Sequence, residues 1–380
     1  MALMPRVPSR EKPEAVADWM ELQCLLDGEY TDFDLATARR RQRSAGGAGP
    51  QPAVLTDVVR EAADPSEDDT PLELLMADEP PRDAVIDPSD RANPPHSGGF
   101  EDDEDQDGTT VAERRELLRA GEESEAAHVA ELLEWRDGQY GDLRPFVFDT
   151  ATRTIRRLSP PLTACQRLYV FLLLVSNLEH ATPPQRSRLT DAFERLCAPA
   201  LAEFLGHPGA KVHVFGTTAP VGTRYHEEEL YEKAVKLAED LRAELDAAAA
   251  AELVDDPGDN GLDIVAWLPF PAGDVEDRWL YFFGQCAAGH DWQAKQAEAD
   301  TEAWAELIPR VTSAIVRVFF LGRCLRDPGG CWARVKGLRP NLLFDRSRIL
   351  RLLCPHGEPN RDLAVVDLPE DLVDTLAQIA

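Results

Sequence analysis

The chain has 380 residues and a formal net charge of −29, with 40 basic against 69 acidic side chains. Its longest apolar run, Leu168 to Val175, is far shorter than the ~20 residues a membrane-crossing helix needs, and no signal-type apolar segment opens the sequence; no membrane contact and a cytoplasmic location are expected. Seven irregularly spaced cysteines read as reduced thiols, and no phosphate-cradling Gly-rich loop, Ser-His-Asp elbow or HExxH zinc signature is present, which removes most common enzyme classes.

The acidity is uneven. Residues 61–107 hold seventeen acids and two bases, whereas residues 310–351 hold ten Arg or Lys and two acids. An anionic ligand is therefore still allowed by the C-terminal part, despite the overall charge.

In chain order, residues 1–44 read as a small helical docking unit, with Val16, Trp19, Met20, Leu22 and Leu26 near helical spacing. Residues 45–110, rich in Gly, Pro, Asp and Glu, read as a disordered acidic linker. Residues 111–184 form a helical region leading into the core: a long helix or a helix pair broken at Gly121, a strand–turn–strand from Arg144 to Leu158, and a buried helix whose start is marked by Ser159, Pro160 and Pro161. The core itself is expected over 185–380. Leu189, Phe193, Leu196, Ala200 and Phe204 share one face of an amphipathic helix that ends at Gly206, and Leu230, Ala234, Leu237, Leu241 and Leu245 form the stripe of a later charged helix.

Two apolar strands, Leu262–Phe270 and Arg278–Ala287, then flank the turn 271–277. If the turn is centred on Asp274, the strands pair so that Asp263 stands opposite Gln285, with both side chains on one face of the hairpin. After Gly289 a helix is expected from Asp291 to about Leu307, then an apolar strand or helix over 312–325, a loop leading into a basic helix near Arg346, and a final strand and helix.

Taken singly, the polar residues here have ordinary readings. Asp263 can close a turn begun by Asp259 and Asn260, Glu194 can be a solvated helix acid, and Lys295 a surface lysine. Glu227, Glu228 and Glu229 suit the opening of a helix, and His290 is an ordinary loop residue. Cys324, Cys331, Cys354 and His356 lack the paired spacing of a zinc knuckle. Arg334, Lys336 and Arg339, with Arg346, Arg348 and Arg351 at helical spacing, suit either phosphate contact or pairing with the protein's own acids.

Taken jointly, Phe193-Glu194 on a helix, Gly261-Leu262-Asp263 opening a strand and Gln285 ending the next resemble the PD-(D/E)XK nuclease superfamily, in particular its Mrr-like restriction endonucleases. The likeness covers about residues 185–300, and it departs from the pattern at Ala287, where the family has a lysine. The resemblance implies an α/β fold (α+β as the alternative) with a restriction-endonuclease-like core, a central mixed sheet flanked by helices. It implies Mg²⁺ or Mn²⁺ held by Glu194, Asp263 and Gln285, with Lys295 standing in for the missing lysine as the fourth catalytic residue. Hard divalent cations favour such oxygen donors, and an ammonium beside them stabilises charge on a phosphoryl group.

The function implied is a metal-dependent DNA endonuclease in a bacterial restriction or anti-phage system, with DNA and a further protein of a multi-subunit defence assembly as partners; a homodimer is compatible with it. The alternatives are a catalytically inactive nuclease-fold scaffold, for which Ala287 speaks, and a protein-binding adaptor.

Overall fold

In the computed structural model of the chain, the described residues are 12–31, 35, 38, 111–226, 229–251, 253, 258–270, 279–289, 291–309, 314–333, 337–360, 363, 368, 369, 371 and 373. The expected acidic linker, the Asp274 turn and most of the final strand and helix lie outside them, as do Glu227, Glu228, His290, Arg334 and Lys336.

Among the described residues the chain is a mixed α/β protein. It opens with helix α1 (Pro13–Asp27) and strand β1 (Glu29–Thr31), followed by α2 (Val111–Tyr140), which runs through Gly121 without a break. Strands β2 (Phe146–Asp149) and β3 (Thr154–Arg157) pair with β1 in a three-stranded antiparallel sheet of order β1-β3-β2.

Helices α3 (Ala164–Val175) and α4 (Pro183–Leu205) follow. Each starts on a reciprocal capping box, Thr163 with Gln166 and Thr182 with Gln185, which satisfies backbone donors that the first turn leaves open. Pro183 and Pro184 suit the first turn of α4, and Gly206, left-handed at φ 57°, ends it.

Five strands build the main sheet in the order β4-β5-β6-β7-β8: β4 (Lys211–Val214), β5 (Ile264–Leu268), β6 (Leu280–Ala287), β7 (Ile315–Leu321) and β8 (Leu342–Phe344). The β4–β5 and β5–β6 pairs are antiparallel, while β6–β7 and β7–β8 are parallel. Between β4 and β5 lie α5 (Leu230–Asp240) and α6 (Ala247–Ala251), and between β6 and β7 lie α7 (Trp292–Lys295) and α8 (Thr301–Leu307). Helix α9 (Arg346–Leu353) follows β8.

The β5–β6 ladder pairs Ile264 with Gly284 and Leu268 with Leu280, the register a turn centred on Asp274 requires. Side-chain alternation then divides the sheet. Ile264, Ala266, Phe282 and Cys286 enter one apolar cluster with α3 and α4, and Val265, Trp267, Tyr281 and Phe283 enter another with α5 and α8. Strand β6 is central and buried along almost its whole length, which is why it reads as a continuous apolar run.

Three expectations are corrected. Helix α1 is not a separate docking unit: it belongs to one compact unit with the described residues from Glu122 onward. Its Asp18 and Glu21 are buried among arginines, so the helix is an internal element held by charge as well as by apolar contact. The single helix expected from Asp291 to Leu307 is two, because the Asp300 side chain accepts from the backbone N–H groups of Glu302 and Ala303 and caps a new start. Cys165 and Cys354 form a disulfide between the start of α3 and the end of α9, whereas Cys24, Cys197, Cys286, Cys324 and Cys331 are free thiols. Residues 189 apart in sequence meet only through helix packing, which spacing does not encode.

Candidate metal centre

The β5–β6 hairpin and α4 bring the candidate residues to one place. Glu194, Asp259, Asn260, Gly261, Asp263, Gln285, Cys286, Lys295 and Glu298 line a polar pocket of about 420 Å³. Glu194 comes from the middle of α4, Asp263 from the residue before β5, Gln285 from β6 and Lys295 from the last position of α7.

Asp263 is fixed from both sides of its peptide. Its N–H donates to the Gly284 carbonyl at 2.9 Å, and its own carbonyl accepts from the N–H groups of Phe215 (2.7 Å) and Gly216 (3.1 Å) at the end of β4. On the side chain, Oδ2 accepts the Cys286 N–H at 2.6 Å. Continuing the ladder by one step sets Asp263 against Gln285, and both are almost completely buried.

Gly216 sets the width of the site. A Cβ there would lie 3.1 Å from Asp263 Oδ1 and 3.1 Å from Glu194 Oε2, so the two oxygens are no further apart than twice that distance. Gly261 has a second constraint: at φ 70°, an added Cβ would come within 2.4 Å of the Glu298 carbonyl oxygen. The glycine of Gly261-Leu262-Asp263 is thus required by a left-handed backbone and by the close passage of the segment after α7.

The electrostatics follow from burying two acids together. Desolvation is the largest influence on Asp263 and raises its carboxyl well above the usual range; the neighbouring Glu194 charge adds to it, and the Cys286 N–H and Lys295 oppose it. Desolvation also raises Glu194 from its usual 4.5 to about 7, against the hydrogen bond from the Thr218 hydroxyl and the positive charge of Lys295.

The Gln285 amide is oriented by its nitrogen, which donates to Glu298 Oε2 at 3.3 Å. Its Oε1 is buried and, among the described residues, meets no hydrogen-bond donor. A buried carbonyl oxygen without a donor is costly unless a ligand meets it.

The donors present fit a hard divalent cation. Two mutually repelling carboxylates and an orphaned amide oxygen are all oxygen ligands of the kind Mg²⁺ and Mn²⁺ take. Among the described residues no three His, Cys, Asp or Glu side chains gather as a metal cluster, so Gln285 and solvent would have to complete the shell.

Of the six expected basic contacts, one is overturned and one is engaged elsewhere. Arg346 is fully buried: its guanidinium grips Asp18 at 3.1 and 3.2 Å and donates to the Gly322 carbonyl, so its assignment to nucleic-acid contact is wrong. Helical spacing with Arg348 and Arg351 concealed that it occupies the inward face of α9. Arg348 donates to the Leu343 carbonyl and lies 5.0 Å from the Trp332 ring centre, committed to its own domain. Arg339 and Arg351 are exposed.

Two of the four residues weighed for zinc have other partners. Cys354 is in the disulfide, and the buried Cys324 accepts the Tyr140 hydroxyl.

The position where the resembled family carries lysine is a closed apolar environment. Ala287 is fully buried among Trp292, Phe319, Leu321, Leu325 and Leu343. Sequence reasoning also missed Thr218, whose hydroxyl holds Glu194, because a loop threonine carries no pattern of its own. The chain matches no family model, no curated protein and no solved structure.

Proposed function

We propose that the protein is a divalent-metal-dependent nuclease that hydrolyses phosphodiester bonds in DNA, built on a restriction-endonuclease-like core. The observation that carries the reading is the convergence of Glu194, Asp263 and the orphaned Gln285 oxygen in one pocket that Lys295 also lines. The mixed order of the main sheet, three antiparallel strands continued by two parallel ones, supports the same reading.

A bound Mg²⁺ or Mn²⁺ would neutralise the scissile phosphate and acidify a water. The chain's own groups have complementary tasks. Asp263 and Glu194 would hold the ion as carboxylates, and its charge would offset the burial and mutual repulsion that raise their pKa values. Gln285 contributes a neutral oxygen whose direction is set through Glu298. Lys295 offers its ammonium to the charge developing on the phosphoryl oxygens or to the attacking water, the task Ala287 cannot perform. A bacterial restriction or anti-phage role, with a partner protein supplying target recognition, belongs to the same proposal and rests on the resemblance alone.

The packed apolar surroundings of Ala287 favour a second reading, an inactive nuclease-fold scaffold. Incubation of supercoiled plasmid with the protein in Mg²⁺ or Mn²⁺ separates the two. Nicking or linearisation that Asp263→Ala and Lys295→Ala each reduce at least about a hundredfold supports the enzyme, in line with the loss of a preorganised charged group. Intact plasmid in either metal, with DNA still bound, supports the scaffold.

A further inference from the structure

Helix α5 carries a residue that its amphipathic pattern does not account for. Leu230, Ala234, Leu237 and Ala238 face the apolar cluster, and Lys233 lies among them on the same face. Lys233 is only 1% exposed, its Nζ is out of solvent, and among the described residues nothing accepts a hydrogen bond from it. Lysine is almost never fully buried without a partner, because an unpaired ammonium loses its hydration with no replacement.

What surrounds it is the floor of the candidate site. The ammonium lies 5.8 Å from the centre of the Phe215 ring, and the next residue, Gly216, is the one against which Glu194 and Asp263 turn their oxygens. The charges it feels are those of Asp259 and Glu194, two of the pocket's acids. Burial lowers its pKa from the usual lysine value, and those two acids oppose the shift. Glu194 therefore approaches from α4, while Lys233 stands on α5, which packs on the other face of the sheet.

We infer that Lys233 is a built-in electrostatic residue of the candidate metal site: a fixed positive charge behind Phe215 that offsets the acid cluster, weakening its hold on a divalent cation and strengthening its attraction for an anionic phosphate. It is not a ligand and does not line the pocket; it acts through its field on the groups that do. This rests on the metal-centre reading of the same pocket, and it adds a cation that neither the resemblance nor the lining residues supply.

The field interpretation has a signature that a packing role lacks, because one charge changes cation and anion binding in opposite directions. Lys233→Met keeps the length and burial of the side chain and removes the charge. Mn²⁺ alone is titrated calorimetrically into the full-length wild type and variant. Binding of a fluorescein-labelled DNA duplex is followed by anisotropy in Ca²⁺, and thermal unfolding is measured without metal.

The expected result is Mn²⁺ affinity raised roughly tenfold and DNA affinity lowered by a similar factor, the order that removing a unit charge close to a partly buried site gives. The metal-free melting temperature should stay the same or rise, since an unpaired buried charge has been removed. Lys233→Arg should return both affinities toward wild type. Unchanged affinities overturn the inference, as does parallel weakening of both with a lowered melting temperature, which marks a packing role. A wild type that binds no Mn²⁺ sinks the metal-centre reading, and this inference with it.

Discussion

At the residue scale, the acids of the pocket couple stability to pH with a definite sign. Burial raises the Glu194 carboxyl from 4.5 to about 7 and Asp263 also upward, so between those values the folded protein binds more protons than the unfolded chain. The stability these groups contribute is therefore fully present below their unfolded-state values and is lost as pH rises from about 4.5 through about 7. Thermal unfolding of the metal-free protein should show a melting temperature falling by a few degrees across that window, as befits a change of a few kcal/mol or less in a chain of this size. The double variant Glu194→Gln, Asp263→Asn should flatten the dependence; an unchanged slope would place its origin elsewhere. Thr218 makes a finer test. Its hydroxyl holds the Glu194 carboxylate in the charged form, so Thr218→Val should shift the onset of Mn²⁺ binding to higher pH, with little effect at pH 9.

At the element scale, the hairpin is the frame of the site, and its tightest point is Gly261. With φ at 70° and the Glu298 carbonyl oxygen 2.4 Å from where a Cβ would sit, Gly261→Ala has to move one segment or the other. The expected cost is about 2 kcal/mol or more in urea unfolding, from the left-handed backbone and the collision together. Wild-type stability in that variant would remove the close passage from the account.

The same hairpin shows what local sequence can encode. Strand alternation and one turn centre suffice to set Asp263 against Gln285, because a one-residue slip would carry every apolar side chain of β5 to the wrong face. Helical periodicity likewise finds the inward face of α4, yet the apolar stripe it draws on α5 passes over Lys233, which is buried with that stripe. The break between α7 and α8 was hidden for a different reason: Asp300 caps a helix only if the chain turns at that point, and Gln296, by bonding the Gly337 carbonyl and the Arg339 N–H, holds it there.

At the scale of the whole molecule, buried charge ties the two ends of the chain together. Asp18 and Glu21 of α1 meet Arg136, Arg144 and Arg346 at 2.8 to 3.1 Å, and the Tyr169 hydroxyl donates to Glu21 at 2.9 Å. Such a network gives little net stability relative to an apolar core, but removing one partner leaves the others uncompensated. Asp18→Asn should therefore lower stability by about 3–5 kcal/mol in denaturant unfolding. Arg346→Met should also destabilise the fold, without the selective loss of DNA affinity its place in a basic sequence suggests. These contacts join residues more than 100 positions apart, and the burial of an acid on an otherwise ordinary amphipathic helix has no signature in spacing. Hence the α/β class and the hairpin were legible in the sequence, whereas the integration of α1, the Cys165–Cys354 bond and the inward turn of Arg346 were not.

The account turns on whether Glu194, Asp263 and Gln285 act together as ligands of one divalent ion, and calorimetric titration of Mn²⁺ at pH 8 tests that directly. The predicted result is one Mn²⁺ per chain, with affinity lost in Asp263→Asn and in Glu194→Gln and reduced in Gln285→Leu, each variant retaining a cooperative unfolding transition. Binding of equal strength in the wild type and all three variants would contradict it.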